Sequence, residues 1–201
     1  MKTDEKKASS GGQSRAGDQA LHLHPASRQD TDSLPQAADL WRQCGDLPNN
    51  NYIDKYRLVP YFARGVDRRA AIGIIDSATA SPVNLLLVTE DGTAEYLHPL
   101  QPGQYVPCSD YIGTRRVIVA ESLLSALSIA HRARNAYVVA ALQAWNIAPV
   151  IETISTVWPG EFLAAPDRAN IQLLPDVRLL SPPTGSSWLA MHVAETQLWA
   201  A

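Results

Sequence analysis

Glu121 stands where an apolar run gives way to a helix-forming run, in residues 115–130 (RRVIVAESLLSALSIA). VIVA reads as a buried strand and LLSALSIA as a helix, so the carboxylate sits at a strand's carboxyl end. In an open α/β sheet that edge forms the crevice where ligands and catalytic groups collect. A glutamate there can move a proton or help hold a hard cation. The position also suits a carboxylate without any chemistry, since the dipole of the following helix favours it by roughly 0.3–1 kcal/mol.

A second group of residues suits phosphate. Lys55, Arg57, Arg64, Arg68 and Arg69 are interleaved with Tyr52, Tyr56, Tyr61 and Phe62. Cations alternating with aromatic rings can follow a single strand by pairing its phosphates and stacking its bases. A solvated helix face with tyrosines packed on a core gives the same pattern. Arg115 and Arg116, just ahead of VIVA, either extend this patch or sit as ordinary edge charges. Other reactive residues stand isolated. His22 and His24 form an HxH with no further ligands nearby, and His131 and His192 have no partner spacing. Cys44 and Cys108 are far apart, which excludes a disulfide framework and a zinc ribbon, and no zinc is expected. No P-loop, GxGxxG or Ser-His-Asp order is present.

The elements that must position these groups follow from composition and pattern. The 201 residues are 46% hydrophobic and 18% charged, which suits one globular domain or two small ones. A formal net charge of -3 gives no whole-molecule attraction to phosphate, so nucleic-acid contact has to come from a local patch. No apolar run approaches the roughly 20 residues that cross a bilayer, and residues 1–12 lack the apolar stretch of a secretory leader. A cytoplasmic protein with no membrane partner is expected.

Residues 1–33 are polar and without hydrophobic period, the composition of a disordered tail. Ser33 is placed to cap a helix running from Pro35 toward Gly45, and residues 52–65 read as a short helical or extended segment. AAIGII (70–75) and VNLLLV (83–88) read as strands, and EDGTAEYL carries the Asp-Gly pair of a hairpin. Residues 99–113, rich in Pro and Gly, read as a connector. From Arg115 onward come strand, helix, strand (AYVVAAL), helix (NIAPVIETISTVW, with Asn146 as its cap) and strand (EFLAA). That alternation marks a parallel sheet with right-handed crossovers. DVRLL offers a fourth strand, and the chain closes on a helix in which Trp188, Met191, Glu195 and Leu198 recur at helical spacing.

VIVAESLLSALSIA followed by AYVVAALQAWNIAPVIETI resembles the Toprim domain in the primases of phages, plasmids and conjugative elements. There a strand ends in a glutamate followed by a small residue and a helix rich in Ala and Ser, and a second strand leads to a small-residue loop with an Asn. Upstream, IIDSATASPVNLLLVTEDGTAEYLHPLQPGQYVPCSDYIG is similar to the β segment that precedes Toprim in those proteins. LWRQCGDLPNNNYIDKYRLVPYFARGV is similar to their helical lead-in. The resemblance spans roughly residues 37–188. It implies an α/β fold: a Toprim-like parallel sheet with flanking helices, preceded by a small antiparallel β region and a disordered N-terminal tail. The implied segments are 1–33 (tail), 34–112 (lead-in helices and small β subdomain), 113–185 (Toprim-like domain) and 186–201 (C-terminal helix).

The resemblance also implies a chemistry. In Toprim enzymes the glutamate is general acid or base in phosphoryl transfer, and a DxD after the third strand holds magnesium. Glu121 matches the glutamate, but EFLAA is followed by PDRAN, leaving Asp167 alone between Pro166 and Arg168. The family's GKDW or GKDF segment is similarly reduced, since SPPTGSSW carries Ser186 and Ser187 in place of Lys and Asp. Each magnesium-bound carboxylate neutralises charge that phosphoryl transfer develops, so these losses point to a degenerate member, inactive or weakly active. The resemblance thus implies a mobile-element protein with Glu121 and Asp167 as magnesium ligands. It would bind single-stranded DNA or a replication or conjugation protein. Two alternatives stay open: an active magnesium-dependent primase or nuclease using Glu121, and a regulatory interaction module that binds no DNA. A homodimer through the C-terminal helix is a further expectation.

Overall fold

The structure, a computed structural model, describes residues 22–23, 36–47, 49–58, 60–76, 81–110, 113–167, 175–183 and 186–192. Among these, two sheets organise the chain. The first contains β1 (His22–Leu23), β2 (Ala63–Val66), β3 (Arg69–Ile74), β4 (Asn84–Val88) and β5 (Thr93–Tyr96), in the order β1-β5-β4-β3-β2. It is antiparallel except for β1, which runs parallel to β5. The second contains β6 (Val106–Pro107), β7 (Arg116–Ala120), β8 (Tyr137–Ala140), β9 (Glu161–Ala165) and β10 (Arg178–Leu179), in the order β10-β9-β7-β8-β6. It is parallel except for the edge strand β6. Helices α1 (Ala37–Gln43), α2 (Asn51–Tyr56), α3 (Leu123–Arg132) and α4 (Ile147–Ser155) complete the α/β architecture, with a further helical turn over 188–192 among the described residues.

Side-chain alternation sorts these elements into layers. Ile118 and Ala120 of β7 face one side, with Val138 and Ala140 of β8, and pack on α3 through Leu123, Leu127 and Ile129. Val117 and Val119 face the other side and pack on Ile147, Val150, Ile151 and Ile154 of α4. A parallel sheet buried on both faces has to read as a continuous apolar run, as VIVA and AYVVAAL do. The cluster around α3 also takes in Ile72 and Ile74 of β3, Leu86 and Val88 of β4, and Ile53 and Tyr56 of α2. Helix α3 is therefore shared between the two sheets. The outer face of the antiparallel sheet, through Ala71, Leu85 and Leu87, is covered by Ala37 and Trp41 of α1.

Several elements depart from expectation. The stretch 52–65 divides: α2 ends at Tyr56, and β2 pairs with β3 around a two-residue turn at Asp67 and Arg68. Both turn residues have positive φ, 46° and 62°, the geometry of a type I′ hairpin, but they lack the Asn-Gly or Asp-Gly signature that normally announces it. The connector is not wholly irregular. Val106 and Pro107 join the second sheet beside β8, and Tyr105 bridges to Ile75 at the end of β3. Proline at position 107 is tolerable because an edge strand does not need every N–H. Most of the expected tail lies outside the described residues, as does Ser33, and its described part, His22–Leu23, pairs with Thr93 and Ala94. Trp188 is 9% exposed and packs with Leu189 and Met191 on the α3 cluster, so this part of the expected dimer helix is spent on the core. Glu195 and Leu198 lie outside the described residues.

The expected Asp-Gly hairpin forms between β4 and β5, with Gly92 at φ 88°. Asp91 organises it: its carboxylate accepts hydrogen bonds from the Thr89 hydroxyl and from the Thr93 amide at 3.0 Å. The Thr89 hydroxyl, then the Thr93 amide, hold its carboxyl below the usual carboxylate range. A depressed native pKa contributes stability above the unfolded value and loses it as pH falls through the native one. Protection of the Thr93 amide, the slowing of its exchange relative to an unstructured peptide at the same pH, should therefore fall on acidification through and below the ordinary carboxylate range. In Asp91→Asn the protection should already be reduced at neutral pH and lack that acid response, and an unchanged profile in the variant would refute the assignment.

Candidate metal and nucleic-acid site

Glu121 is fixed from both sides. Its amide donates to Ala165 O at 3.1 Å, which carries the β7–β9 ladder one residue past β7, while Ala120 O accepts from Ala141 N at 2.8 Å on the β8 side. Ser122 then takes an extended conformation and its side chain accepts from Ser125 N at 3.3 Å, capping α3. The sequence reading of a strand end meeting a helix thus has a direct structural counterpart. The strand order makes this a switch point: from β7 the chain passes to β8 on one side, then crosses to β9 on the other.

The acid that follows β9 comes to the same place. Asp167 N donates to Glu121 Oε2 at 2.9 Å, and Ser125 Oγ donates to Asp167 Oδ1 at 2.5 Å. Residues from the ends of β7 and β9 and from the first turn of α3 form one linked set. Glu121 is half-buried, Asp167 exposed and Ser125 buried. Sequence reasoning did not single out Ser125; the signal was its place three residues after the cap Ser122, on the helix turn that faces the strand ends. Among the described residues, Glu121 Oε1 and Asp167 Oδ2 accept no hydrogen bond.

This donor set suits magnesium only in part. Magnesium takes hard oxygens in octahedral array and is commonly held by one or two carboxylates plus substrate phosphates and water. Glu121 and Asp167 supply two carboxylates, and the Ser125 hydroxyl is engaged with Asp167. No group of three His, Cys, Asp or Glu poised for a metal occurs among the described residues. The acids fit a cation that draws its remaining ligands from water and from a bound phosphate.

The loop after β8 is held rigidly beside this edge. Asn146, expected as a helix cap, occupies the position ahead of α4 but makes no capping bond. Instead its Oδ1 accepts from Gly103 N, and its Nδ2 donates to Gln104 O and Ala141 O, each at 2.8 Å. It is fully buried and ties the connector to the end of β8. The cap reading failed because an Asn before a helix has the same sequence signature whether its side chain turns toward the helix or away. Between them, Leu142 adopts φ 69°, a left-handed conformation that costs a non-glycine residue roughly 1–2 kcal/mol.

The basic residues do not form one track. Arg64 lies on the α1 face of the antiparallel sheet, donating to Trp41 O at 3.3 Å with its guanidinium 4.7 Å from the Trp41 ring centroid. Arg69 pairs with Glu95 at 2.8 Å. Lys55 belongs to α2, whose buried Ile53 and Tyr56 pack on the opposite face, and Arg57 follows that helix. Arg68 is exposed at the β2–β3 turn. Arg116 pairs with Glu161 at 3.0 Å at the amino end of β7, and Glu161 also meets Arg178. Five strand residues put Arg115 and Arg116 about 16 Å from the edge where Glu121 lies. The interleaved aromatics divide as well. Tyr56 is core, Phe62 packs 4.7 Å from Trp41, Tyr61 is 58% exposed, and the Tyr52 side chain lies outside the described residues. Lys55, Arg57, Arg68 and Arg115 are exposed with no carboxylate partner among the described residues.

No helix among the described residues is long and apolar enough to cross a membrane. No family model and no curated protein matches the chain. Among solved structures, the chain is similar to one from the structure of bacteriophage T7 lagging-strand DNA polymerase interacting with primase domains of two gp4 subunits bound to an RNA/DNA hybrid and dTTP. Identity is 10%, TM-score 0.45, with 69% of this chain and 79% of that chain covered.

Proposed function

We propose that this chain is a degenerate Toprim-like protein of a bacterial mobile element. It binds single-stranded nucleic acid through a magnesium-assisted site at Glu121 and Asp167, with phosphoryl-transfer catalysis lost or residual. The observation that carries this reading is the hydrogen bond from Asp167 N to Glu121 Oε2, which brings the only two acids matching the Toprim pattern to one sheet edge. Magnesium, when bound, supplies positive charge against a phosphodiester. With two carboxylates, Glu121 and Asp167 hold it weakly alone, so cation and phosphate bind together rather than in sequence. Ser125 orients Asp167, and Asp167 N orients Glu121. Neither acid has a third partner to organise an attacking group, which is why binding, rather than turnover, is the expected output. Arg68, unpaired at its turn, contributes a phosphate contact.

The test is the affinity of the protein for a labelled oligothymidylate with and without magnesium. Wild type should bind more tightly with the ion, and Glu121→Gln and Asp167→Asn should each lose about tenfold of that gain, or 1.4 kcal/mol. Both variants keep an acceptor for the hydrogen bonds seen here, so folding is retained. Arg68→Ala should weaken binding at all sequences and reduce the salt slope by about 0.7. Affinity indifferent to magnesium and to both acid substitutions, or no binding at low salt, would overturn the reading. A magnesium-dependent product abolished by Glu121→Gln would establish the enzyme alternative.

A further inference from the structure

We infer that Trp145 is a stacking platform for a nucleobase, forming the base-binding half of the site whose phosphate-binding half is Glu121 and Asp167. This rests on the function proposed above and adds to it a residue that the Toprim resemblance does not supply. Trp145 is 53% exposed, although residues on both sides of it in the chain are buried: Leu142 is 6% exposed, Asn146 0% and Ile147 1%. The other tryptophans placed in the core, Trp41 and Trp188, are 8% and 9% exposed. An indole left open on a segment anchored this tightly is held out by its surroundings rather than by looseness.

The anchoring comes from the three hydrogen bonds of Asn146 and from the left-handed turn at Leu142, which together fix the segment between β8 and α4. Its position is the second argument. β7 and β8 run parallel, with Ala120 paired to Ala140, so Ala141 lies about 5 Å from Glu121 across the ladder. Trp145 follows four residues later on the same carboxyl edge. A rigid aromatic ring and a pair of acids on one edge are the two kinds of group that a nucleotide calls for, one for a flat base and one for a phosphate held through a cation. The two residues before it in the chain are Gln143, half-buried, and Ala144, exposed. They give no broad apolar surround of the kind a protein hot spot requires, whereas every base offers a π-face of the right size.

The experiment compares an oligothymidylate with an abasic oligonucleotide of the same length, both labelled, in the presence of magnesium. Trp145→Ala should weaken oligothymidylate binding by roughly five- to a hundredfold, and Trp145→Phe should recover part of the loss. Binding of the abasic strand should be the same in wild type and Trp145→Ala. Unchanged oligothymidylate affinity in Trp145→Ala would overturn the inference while leaving the function standing if Glu121→Gln still weakens the magnesium response. Equal losses on both strands would assign the residue to folding or backbone contact and also overturn it. If self-association is lost in Trp145→Ala while oligonucleotide binding is intact, the indole belongs to a contact between copies and the inference fails. Absence of wild-type binding to either strand would remove both readings together.

Discussion

Asn146→Ala should lower stability by about 3–5 kcal/mol, a large effect for one polar side chain. The side chain satisfies three backbone groups, Gly103 N, Gln104 O and Ala141 O, each at 2.8 Å, from a fully buried position. Each buried group left unpaired costs roughly 1–3 kcal/mol, with some relief if water enters the space vacated. Two features raise the cost. Gly103 has φ 82°, and any Cβ there would collide with Thr153 of α4, so the connector has little freedom to find other partners. Leu142 holds a strained conformation that persists only while its surroundings over-determine it. Thermal unfolding should shift down by about 10 °C, and the Gly103 amide should exchange much faster. A shift below about 2 °C would show that Asn146 is dispensable to the connector. Asn146→Asp is a second probe: it keeps the acceptor for Gly103 N but loses both donors and adds a buried charge, so it should destabilise at neutral pH as well.

Those same residues mark where the sequence was and was not legible. The parallel sheet was legible because both its faces are buried: VIVA and AYVVAAL read as interior strands and LLSALSIA as a helix, while the Ser122 cap emerged only from the structure. Glu121 followed from that geometry alone. Its meeting with Asp167 was expected only from the Toprim resemblance, because a contact between residues 46 positions apart depends on which strand neighbours which, and after β8 the chain crosses β7 to place β9 on its far side. Ser125 was invisible for the same reason. The hairpin of β2 and β3 was missed because its turn uses Asp67 and Arg68 with positive φ and no glycine. The placement of the basic residues was not legible for a different reason. Linear interleaving cannot tell that Arg64 lies on one face of the antiparallel sheet and α2 packs against the other, nor that Arg116 stands at the wrong end of β7. Charge spacing carries no information about sheet faces until the strand register is known.

Leu127→Ala should destabilise the chain by about 3–5 kcal/mol, at the upper end for a single large-to-small change, because of where α3 sits. Leu127 is 4% exposed and belongs to the core cluster that draws on both sheets, with Ile72 and Val88 of the first and Ile118 and Val138 of the second. Most helices in α/β proteins cover one sheet; this one is the interlayer of two, so its apolar face and its flanks are both enclosed. Removing the isobutyl group forfeits its transfer free energy and leaves a hole that neither sheet can close without moving a whole layer. The hole would also join an apolar cleft already present beside it, lined by Ile53, Tyr56, Leu58, Ile72, Val88 and Leu127. Collapse is harder where packing is already thin, and the cost rises with the volume that remains. Leu127→Met, close to volume-conserving, should cost under about 1.5 kcal/mol and serves as the control. Because α3 also presents Ser125 to Asp167, the alanine variant should lose the magnesium response of nucleic-acid binding at temperatures where the sheets are still folded. A thermal shift in Leu127→Ala no larger than in Leu127→Met would mean that the two sheets do not depend on α3 for their cohesion.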